Sequence, residues 1–316
     1  MTPLHMGTGK ENYDFSASVL QSDTISSALA AIRVRMDGHM DIRDFLDSFA
    51  ISSAFPYVED SFFLPKPQGR LNISVVDGDE YISRKRLKKL KYIESSLWNK
   101  IISGEMIEVV QAQLQGSFLL KMTDGGFVKP YLSSVNQRVS VPRDEGMDAE
   151  PFFFEWTYFH EKAGLYCLLN AVDKRREEII RLFRLLGEAG IGTDRNVGGG
   201  KFEVETSQLA LREVPSANAS MLLSLYLPME EEMEYLNLND SNYELLLRGG
   251  YISGSSYEEF IHLRKKSVYM FDCGSIFRTT HPLIGKIVDL RPEWNDGRLH
   301  PVLRSGKPFV IPVKKE

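Results

Sequence analysis

Gly190-Ile191-Gly192-Thr193-Asp194-Arg195-Asn196-Val197-Gly198-Gly199-Gly200-Lys201-Phe202 holds five glycines, an arginine inside the run and a lysine after the last of them. Glycine permits positive φ and lets a ligand approach the main chain without a Cβ in the way. Free N–H groups in such a loop form a concave anion site, and flanking cations add charge. The run predicts a phosphate-binding loop. The plainer reading, a surface turn, stands beside it.

The flanking elements decide which phosphate. Upstream, Asp173 reads as an N-cap, and Ile179, Leu182, Phe183 and Leu186 follow at helical spacing. Downstream, Lys201-Phe202-Glu203-Val204-Glu205 alternates like a strand. The predicted order is helix, glycine loop, strand. A dinucleotide fold needs strand, loop, helix, so that the pyrophosphate meets a helix N-terminus. Arg195 also stands where the third glycine of that fingerprint belongs, and Gly9-Lys10 and Gly200-Lys201 are followed by Glu11 and Phe202 rather than Ser or Thr. A nucleic-acid backbone is the remaining source of phosphate.

The chain has 316 residues, 43% of them hydrophobic, enough for one large or two ordinary domains. No apolar stretch of about 18 residues and no basic-then-apolar N-terminus is present, which predicts neither a membrane span nor a signal peptide. Cys167 and Cys273 are far apart in apolar contexts and read as free thiols, consistent with the cytoplasm. Net charge is −5, which by itself opposes nucleic-acid binding, but the charge is segregated. Residues 84–91 read Arg-Lys-Arg-Leu-Lys-Lys-Leu-Lys, and residues 264–316 hold eleven Lys or Arg against five Asp or Glu. Acid gathers at Glu230, Glu231, Glu232, Glu234, Asp240 and Glu244. Such segregation fits one face for a polyanion and another for a basic protein.

Along the chain, Pro3-Leu4-His5-Met6 predicts a first strand, and Ser22-Asp23-Thr24 opens a helix with apolar Ile25, Ala28, Leu29, Ile32 and Met36. A second helix follows Asp41. Pro65 and Pro67 place Leu64 to Pro67 at a sheet edge or in an extended segment. One helix carrying the basic run is predicted to bury Leu87, Leu90, Ile93, Leu97 and Ile101. Residues 105–122 and 152–170 read as strands, with Glu161 to Gly164 closing a hairpin in the second set. Residues 130–151 lack core periodicity; Val139 and Val141 alternate with polar neighbours, in keeping with a protruding hairpin that carries Arg138 and Arg143. A boundary falls near Pro215 to Ser220, with Met221 to Leu227 and three later segments as strands and Arg304 to Gly306 as a hairpin turn. The order of the first half is that of the ferredoxin-like split βαβ, an α+β fold.

Catalytic patterns are absent from the sequence. Six scattered histidines make no HExxH, no cysteine pair has zinc spacing, and there is no GxSxG. His5 beside the first strand could serve as an acid or base, although a lone histidine is more often structural.

Several motifs in order match a known family: Pro3-Leu4-His5, Ser22-Asp23-Thr24, Ser53-Ala54-Phe55-Pro56, Leu64-Pro65-Lys66-Pro67, the glycine run, Lys265-Lys266-Ser267-Val268-Tyr269-Met270, Gly274-Ser275-Ile276-Phe277 and His300-Pro301-Val302. They resemble the RAMP proteins that form the fourth subunit of Csm complexes, the type III-A CRISPR effectors. The glycine loop marks the wider RAMP superfamily, and the proline and Gly-Ser-x-Phe segments narrow the resemblance to this subunit.

The resemblance implies an α+β, ferredoxin-like (RRM-like) RAMP fold in two such domains, residues 1–214 and 215–316, with inserted helices and a thumb-like hairpin. It implies a non-catalytic, cofactor-free role in antiviral defence. The subunit would hold the repeat-derived 5′ tag of the crRNA and dock the large palm-domain subunit and the adjacent RAMP backbone subunit. The implied RNA-binding residues are Gly190, Gly192, Arg195, Gly198, Gly199, Gly200 and Lys201 in the loop, Arg138 and Arg143 on the thumb, and Ser22 and Lys66. Two alternatives stay open: a RAMP endoribonuclease that processes CRISPR repeat RNA with His5 or His39 as acid–base, and a general RNA-binding module.

Overall fold

The computed structural model describes residues 1–7, 16–17, 19–37, 41–121, 126–142, 148–252, 257–261, 263–279, 281–293 and 296–315. The first helix, Ser22–Asp37, buries Ile25, Leu29 and Ile32 along one stripe, as their spacing predicts. Asp41 caps the short Ile42–Asp47 helix, accepting from the Arg43 and Asp44 N–H groups at 3.0 and 3.3 Å. These helices pack with the long Asp173–Ala189 helix around Leu4, Phe45, Ile179, Leu182 and Leu186.

A six-stranded sheet forms the second layer. Its order is Ala163–Tyr166, Phe55–Val58, Ser61–Pro65, Tyr92–Glu94, Phe118–Leu119, Leu114–Gln115, antiparallel except for the parallel pairing of Tyr92–Glu94 with Phe118–Leu119. The Ser95–Ile102 helix covers it, and buried Trp98 donates from Nε1 to the Pro65 carbonyl at 2.8 Å.

Several expectations are corrected here. The single helix around the basic run is two helices, Glu80–Lys89 and Ser95–Ile102, parted by the strand Tyr92–Glu94. Ile93 does repeat at helical spacing, but its strand pairs on both sides within the sheet, and that pairing overrides the local period. Ser61–Pro65 is an inner strand, but its Leu64 and Pro65 pair on one side only, with Ile93 and Tyr92, and the strand ends at Pro65, in keeping with the edge-like segment expected for Leu64 to Pro67. Ala163–Tyr166 pairs with Phe55–Val58, so Glu161 to Gly164 closes no hairpin with the preceding strand. That strand, Glu150–Phe159, pairs over ten residues with Tyr131–Ser140, so the expected hairpin exists but is longer than residues 130–151: its return strand runs on to Phe159.

Beyond residue 215, Ala219–Leu222 runs antiparallel between Ile276–Phe277 and Val310–Val313. Leu245–Arg248 pairs with Val268–Phe271, and Ile287–Asp289 with Leu303–Ser305. Arg304 therefore lies in a strand rather than a turn. Met221, Leu223, Ile276, Ile311 and Val313 share one buried cluster with Phe63, Leu64, Ile93, Trp98 and Leu119, so the core is continuous across residue 215.

Candidate nucleic-acid interface

The Asp173–Ala189 helix ends at Gly190, whose φ of 81° lies outside the range comfortable for a Cβ and whose N–H bonds the Leu186 carbonyl at 2.7 Å. The chain then doubles back. The Ile191 N–H reaches the Gly200 carbonyl at 3.0 Å, Thr193 reaches the His5 carbonyl at 3.0 Å, and Gly200 reaches the Pro3 carbonyl at 2.8 Å. Val197 and Gly199 donate to the Asp194 carbonyl and Gly198 to that of Arg195, while Lys201 N–H bonds Thr2 Oγ1 at 2.7 Å. The expected cup of free N–H groups is thus largely closed by main-chain partners. The expected strand after Lys201 is also absent, because Phe202 N–H bonds the Gly187 carbonyl at 3.1 Å instead of a sheet neighbour.

Close packing explains the glycines. Gly190, Gly199 and Gly200 are buried. A Cβ on Gly200 would sit 1.8 Å from the Ile191 carbonyl oxygen, and one on Gly199 would sit 2.6 Å from the Trp156 ring. Only the crown faces outward: Arg195, Asn196, Val197 and Lys201 are exposed, and a Cβ on half-buried Gly198 would meet open space. Among the described residues, neither Arg195 nor Lys201 has an acidic partner within ion-pair distance.

The floor beneath the loop comes from the hairpin. Phe154 and Trp156 alternate on one face of Glu150–Phe159, their rings 4.9 Å apart, and both are buried. Arg138 lies over them, its guanidinium 4.6 Å from the Phe154 ring centre and 5.3 Å from that of Trp156. The same guanidinium is paired with Asp194, which holds a φ of 57° inside the loop. His5 completes the floor: it is 1% exposed, its ring centre 4.4 Å from that of Phe154 and Nδ1 2.8 Å from the Glu155 carbonyl. The first residues form no separate strand; Leu4 exchanges two main-chain bonds with Thr157 and lies between hairpin and loop.

The predicted site residues therefore divide. The structure brings Arg138 to the glycine loop, but as a paired and stacked cation. Ser22 is buried, with its hydroxyl accepting from the Leu225 N–H at 2.9 Å and its own N–H on Ser53 Oγ, and offers no surface to RNA. Lys66 stands against the Gly274 turn, its N–H on the Lys91 carbonyl at 2.8 Å and its carbonyl 2.5 Å from where a Gly274 Cβ would be. Arg143 and His39 lie outside the described residues. Asp194, Phe154 and Trp156 were missed, although the Phe152-x-Phe154-x-Trp156 alternation marks one face of a strand.

Among the described residues, no group of three or more His, Cys, Asp or Glu side chains could hold a metal ion, and no helix is long and apolar enough to cross a membrane. Cys167 and Cys273 are free, and burial pushes the Cys167 thiol up to about 12.

Residues 1–203, which contain the glycine loop, the N-terminal segment it closes against and the long hairpin, match the RAMP superfamily model. The chain belongs to the RAMP superfamily. Residues 215–313 match the CRISPR Csm4 C-terminal domain. The CRISPR system Cms protein Csm4 of Mycobacterium tuberculosis (strain ATCC 25618 / H37Rv) is 25% identical over 309 residues, covering 96% of this chain and 93% of that protein. Its namesake from Thermococcus onnurineus (strain NA1) is 26% identical over 274 residues, covering 82% and 84%. In fold, the chain is similar to one in the crystal structure of the Csm3-Csm4 subcomplex of the type III-A CRISPR-Cas interference complex, with TM-score 0.65, 17% identity and 99% of each chain covered. It is also similar to one in the Csm1-Csm4 cassette in complex with cA4, with TM-score 0.58, 22% identity and 99% and 97% coverage.

Proposed function

We propose that this chain is the Csm4-type subunit of a type III-A CRISPR effector complex, a non-catalytic protein that holds the repeat-derived 5′ tag of the crRNA. Its protein partners are the adjacent RAMP backbone subunit and the large palm-domain subunit. Residues 1–214 and 215–316 are read as two elaborated ferredoxin-like units fused through their shared core. The observation that carries this reading is the end-to-end likeness to Csm4 proteins, through both the RAMP region and the Csm4 C-terminal domain. The outward cations Arg195 and Lys201 support an RNA-backbone contact at the loop crown, since charge-assisted bonds to phosphate are stronger than neutral ones. Because most of the loop's own N–H groups are occupied, side chains carry the larger part of that contact.

The repeat-processing alternative called on His5 or His39 as acid or base; His5 is buried against Phe154, which leaves it no access to a strand on the surface, and His39 lies outside the described residues. Affinity purification of the tagged chain from its host, with mass spectrometry and RNA sequencing, tests the proposal. Co-purification of two Csm subunits and of RNAs sharing one 5′ sequence is expected. Recovery of the chain with neither, together with cleavage of repeat RNA by the purified protein, would replace it with the processing enzyme.

A further inference from the structure

Beside the first helix, cations outnumber the acid they share. Asp23 is 2% exposed and receives Arg248 twice, Nε to Oδ2 and Nη2 to Oδ1, each at 2.9 Å. Arg304, from the Leu303–Ser305 strand, closes on the same Oδ2. Arg248 donates further to Thr24 Oγ1 at 2.9 Å, and Arg304 to the Gly249 carbonyl at 3.3 Å. Lys265 stands in the field of both guanidiniums and of Asp23, with its main chain N–H on the Gly250 carbonyl at 3.0 Å. The next acid within reach of Arg248 is Asp272, itself near Glu244 and occupied by the Cys273 N–H and Gln21.

Two guanidiniums thus share one buried carboxylate whose oxygens are already taken, and the Lys265 stem lies alongside, its Cε 3.8 Å from where a Cβ on Gly250 would be. Asp272 offsets part of this charge from farther off, but the guanidiniums and the amine still repel one another, and an anion placed among them would relieve that repulsion. The strain falls on Lys265: burial first, then repulsion from Arg304 and Arg248, bring its amine down to about 8 even with Asp23 nearby. Arg304 is 6% exposed and acts through its field, whereas Arg248 and Lys265 reach the surface. Arg248 Nη1 takes part in none of the bonds to Asp23 and Thr24.

We infer that Arg248 and Lys265, with Arg304 behind them, form a seat for one phosphate group, and, resting on the RNA reading above, that this phosphate belongs to the backbone of the bound strand. The seat lies on elements other than the glycine loop, which makes it a second anchor. A nucleotide rather than free phosphate is favoured by the neighbouring Tyr251 ring, partly exposed and carrying the Arg264 guanidinium at 5.1 Å. Such a ring offers a base a stacking surface next to a charge that tracks the backbone.

The test uses the full chain, a dye-labelled single-stranded RNA and, separately, inorganic phosphate. An anion favours the charged amine, so binding takes up a proton wherever the free amine is neutral. Wild-type RNA affinity is therefore expected to be full at about pH 7 and to fall as pH rises through the free-chain value of about 8. Lys265→Arg, charged throughout, should hold its affinity over the same range. Lys265→Ala should bind about tenfold more weakly at neutral pH and flatten the logarithmic salt slope by about 0.7. Arg195→Ala should weaken binding while leaving the pH profile unchanged. If Arg195→Ala loses RNA but Lys265→Ala does not, and the wild type shows no pH dependence, the seat is overturned and the RNA reading survives. If no RNA binds at all, phosphate decides. A rise in the wild-type Tm that Lys265→Ala lacks would keep the seat with free phosphate as its occupant; no rise in either protein overturns it.

Discussion

Arg138 and Asp194, 56 positions apart, meet at 2.7 Å across the gap between the long hairpin and the glycine loop. Each side chain is about one-third exposed, 34% and 32%. The pair matters less as an ion bridge, worth about 0.2–1 kcal/mol at such exposure, than as a clip over the Phe154 and Trp156 rings. Arg138→Ala removes the bridge and the ring contacts together and is expected to cost about 1–2 kcal/mol. Asp194→Asn, which leaves the stack in place, should cost less than half as much. Urea denaturation of both variants and their double mutant measures this; equal losses would show that the rings contribute nothing.

Without the Asp194 charge, Arg138 stays on its rings beneath the loop but is no longer neutralised there. Asp194→Asn is therefore expected to tighten RNA binding by a few-fold, by removing a carboxylate that repels phosphate. Weaker binding in that variant would mean that Asp194 positions the loop for RNA instead of neutralising Arg138.

At the crown itself, Arg195→Ala and Lys201→Ala should each weaken RNA binding by about 1–3 kcal/mol, the range for a lost charge-assisted bond. Each should also flatten the salt dependence and leave Tm within a degree or two. Binding isotherms at two salt concentrations, with thermal melts on the same samples, check the pairing of effects.

Gly199→Val carries the opposite expectation from the one its sequence invites. A loop read as surface would tolerate the change in folding and fail in binding. With Trp156 only 2.6 Å from the Cβ position, the substitution must shift the ring or the loop and should destabilise by about 1–3 kcal/mol. Gly198→Ala next to it meets open space, but a φ of 86° keeps it mildly unfavourable. Comparing the two melting temperatures separates packing from backbone strain.

Asp23 gives a pH dependence. Burial alone would push its carboxyl up, but Arg248 and Arg304 outweigh burial and hold it below the ordinary carboxylate range. A depressed carboxylate stabilises above its unfolded value of about 3.9 and loses that contribution as pH falls through its folded value. Asp23→Asn should therefore cost about 3–5 kcal/mol at neutral pH, since it strands buried guanidiniums. The gap to wild type should narrow below about pH 4. A constant gap from neutral to acid pH would mean that the ion pairs contribute nothing.

Much of this was legible in the residues. The helix stripe Ile25, Leu29, Ile32, the helix after Asp41 and the presence of a hairpin beginning near residue 130 followed from spacing and side-chain chemistry alone. The glycine run was found at once, yet its purpose was not, because a glycine needed for close approach and one needed for a ligand look identical in one dimension. What separates them is Trp156, Pro3 and His5, brought in from distant parts of the chain. The break between Lys89 and Ser95 was hidden for a related reason: Ile93 fits the helical period, and only its sheet neighbours in the fold claim it. Ser22 misled because a serine at the head of a helix suits both a surface and a core, and Ser53 and Leu225 settle which.

The core that joins Phe63 and Trp98 to Met221, Ile311 and Val313 has a consequence for biosynthesis. The strand Val310–Val313 is translated after almost everything it packs against, and its partner Ala219–Leu222 emerges well after the six-stranded sheet. On the ribosome, the RAMP region must wait with an apolar face uncovered until the final strand slides into place. The nascent chain should thus be a client of holding chaperones, and fragments ending near residue 214 should aggregate rather than accumulate as a folded half.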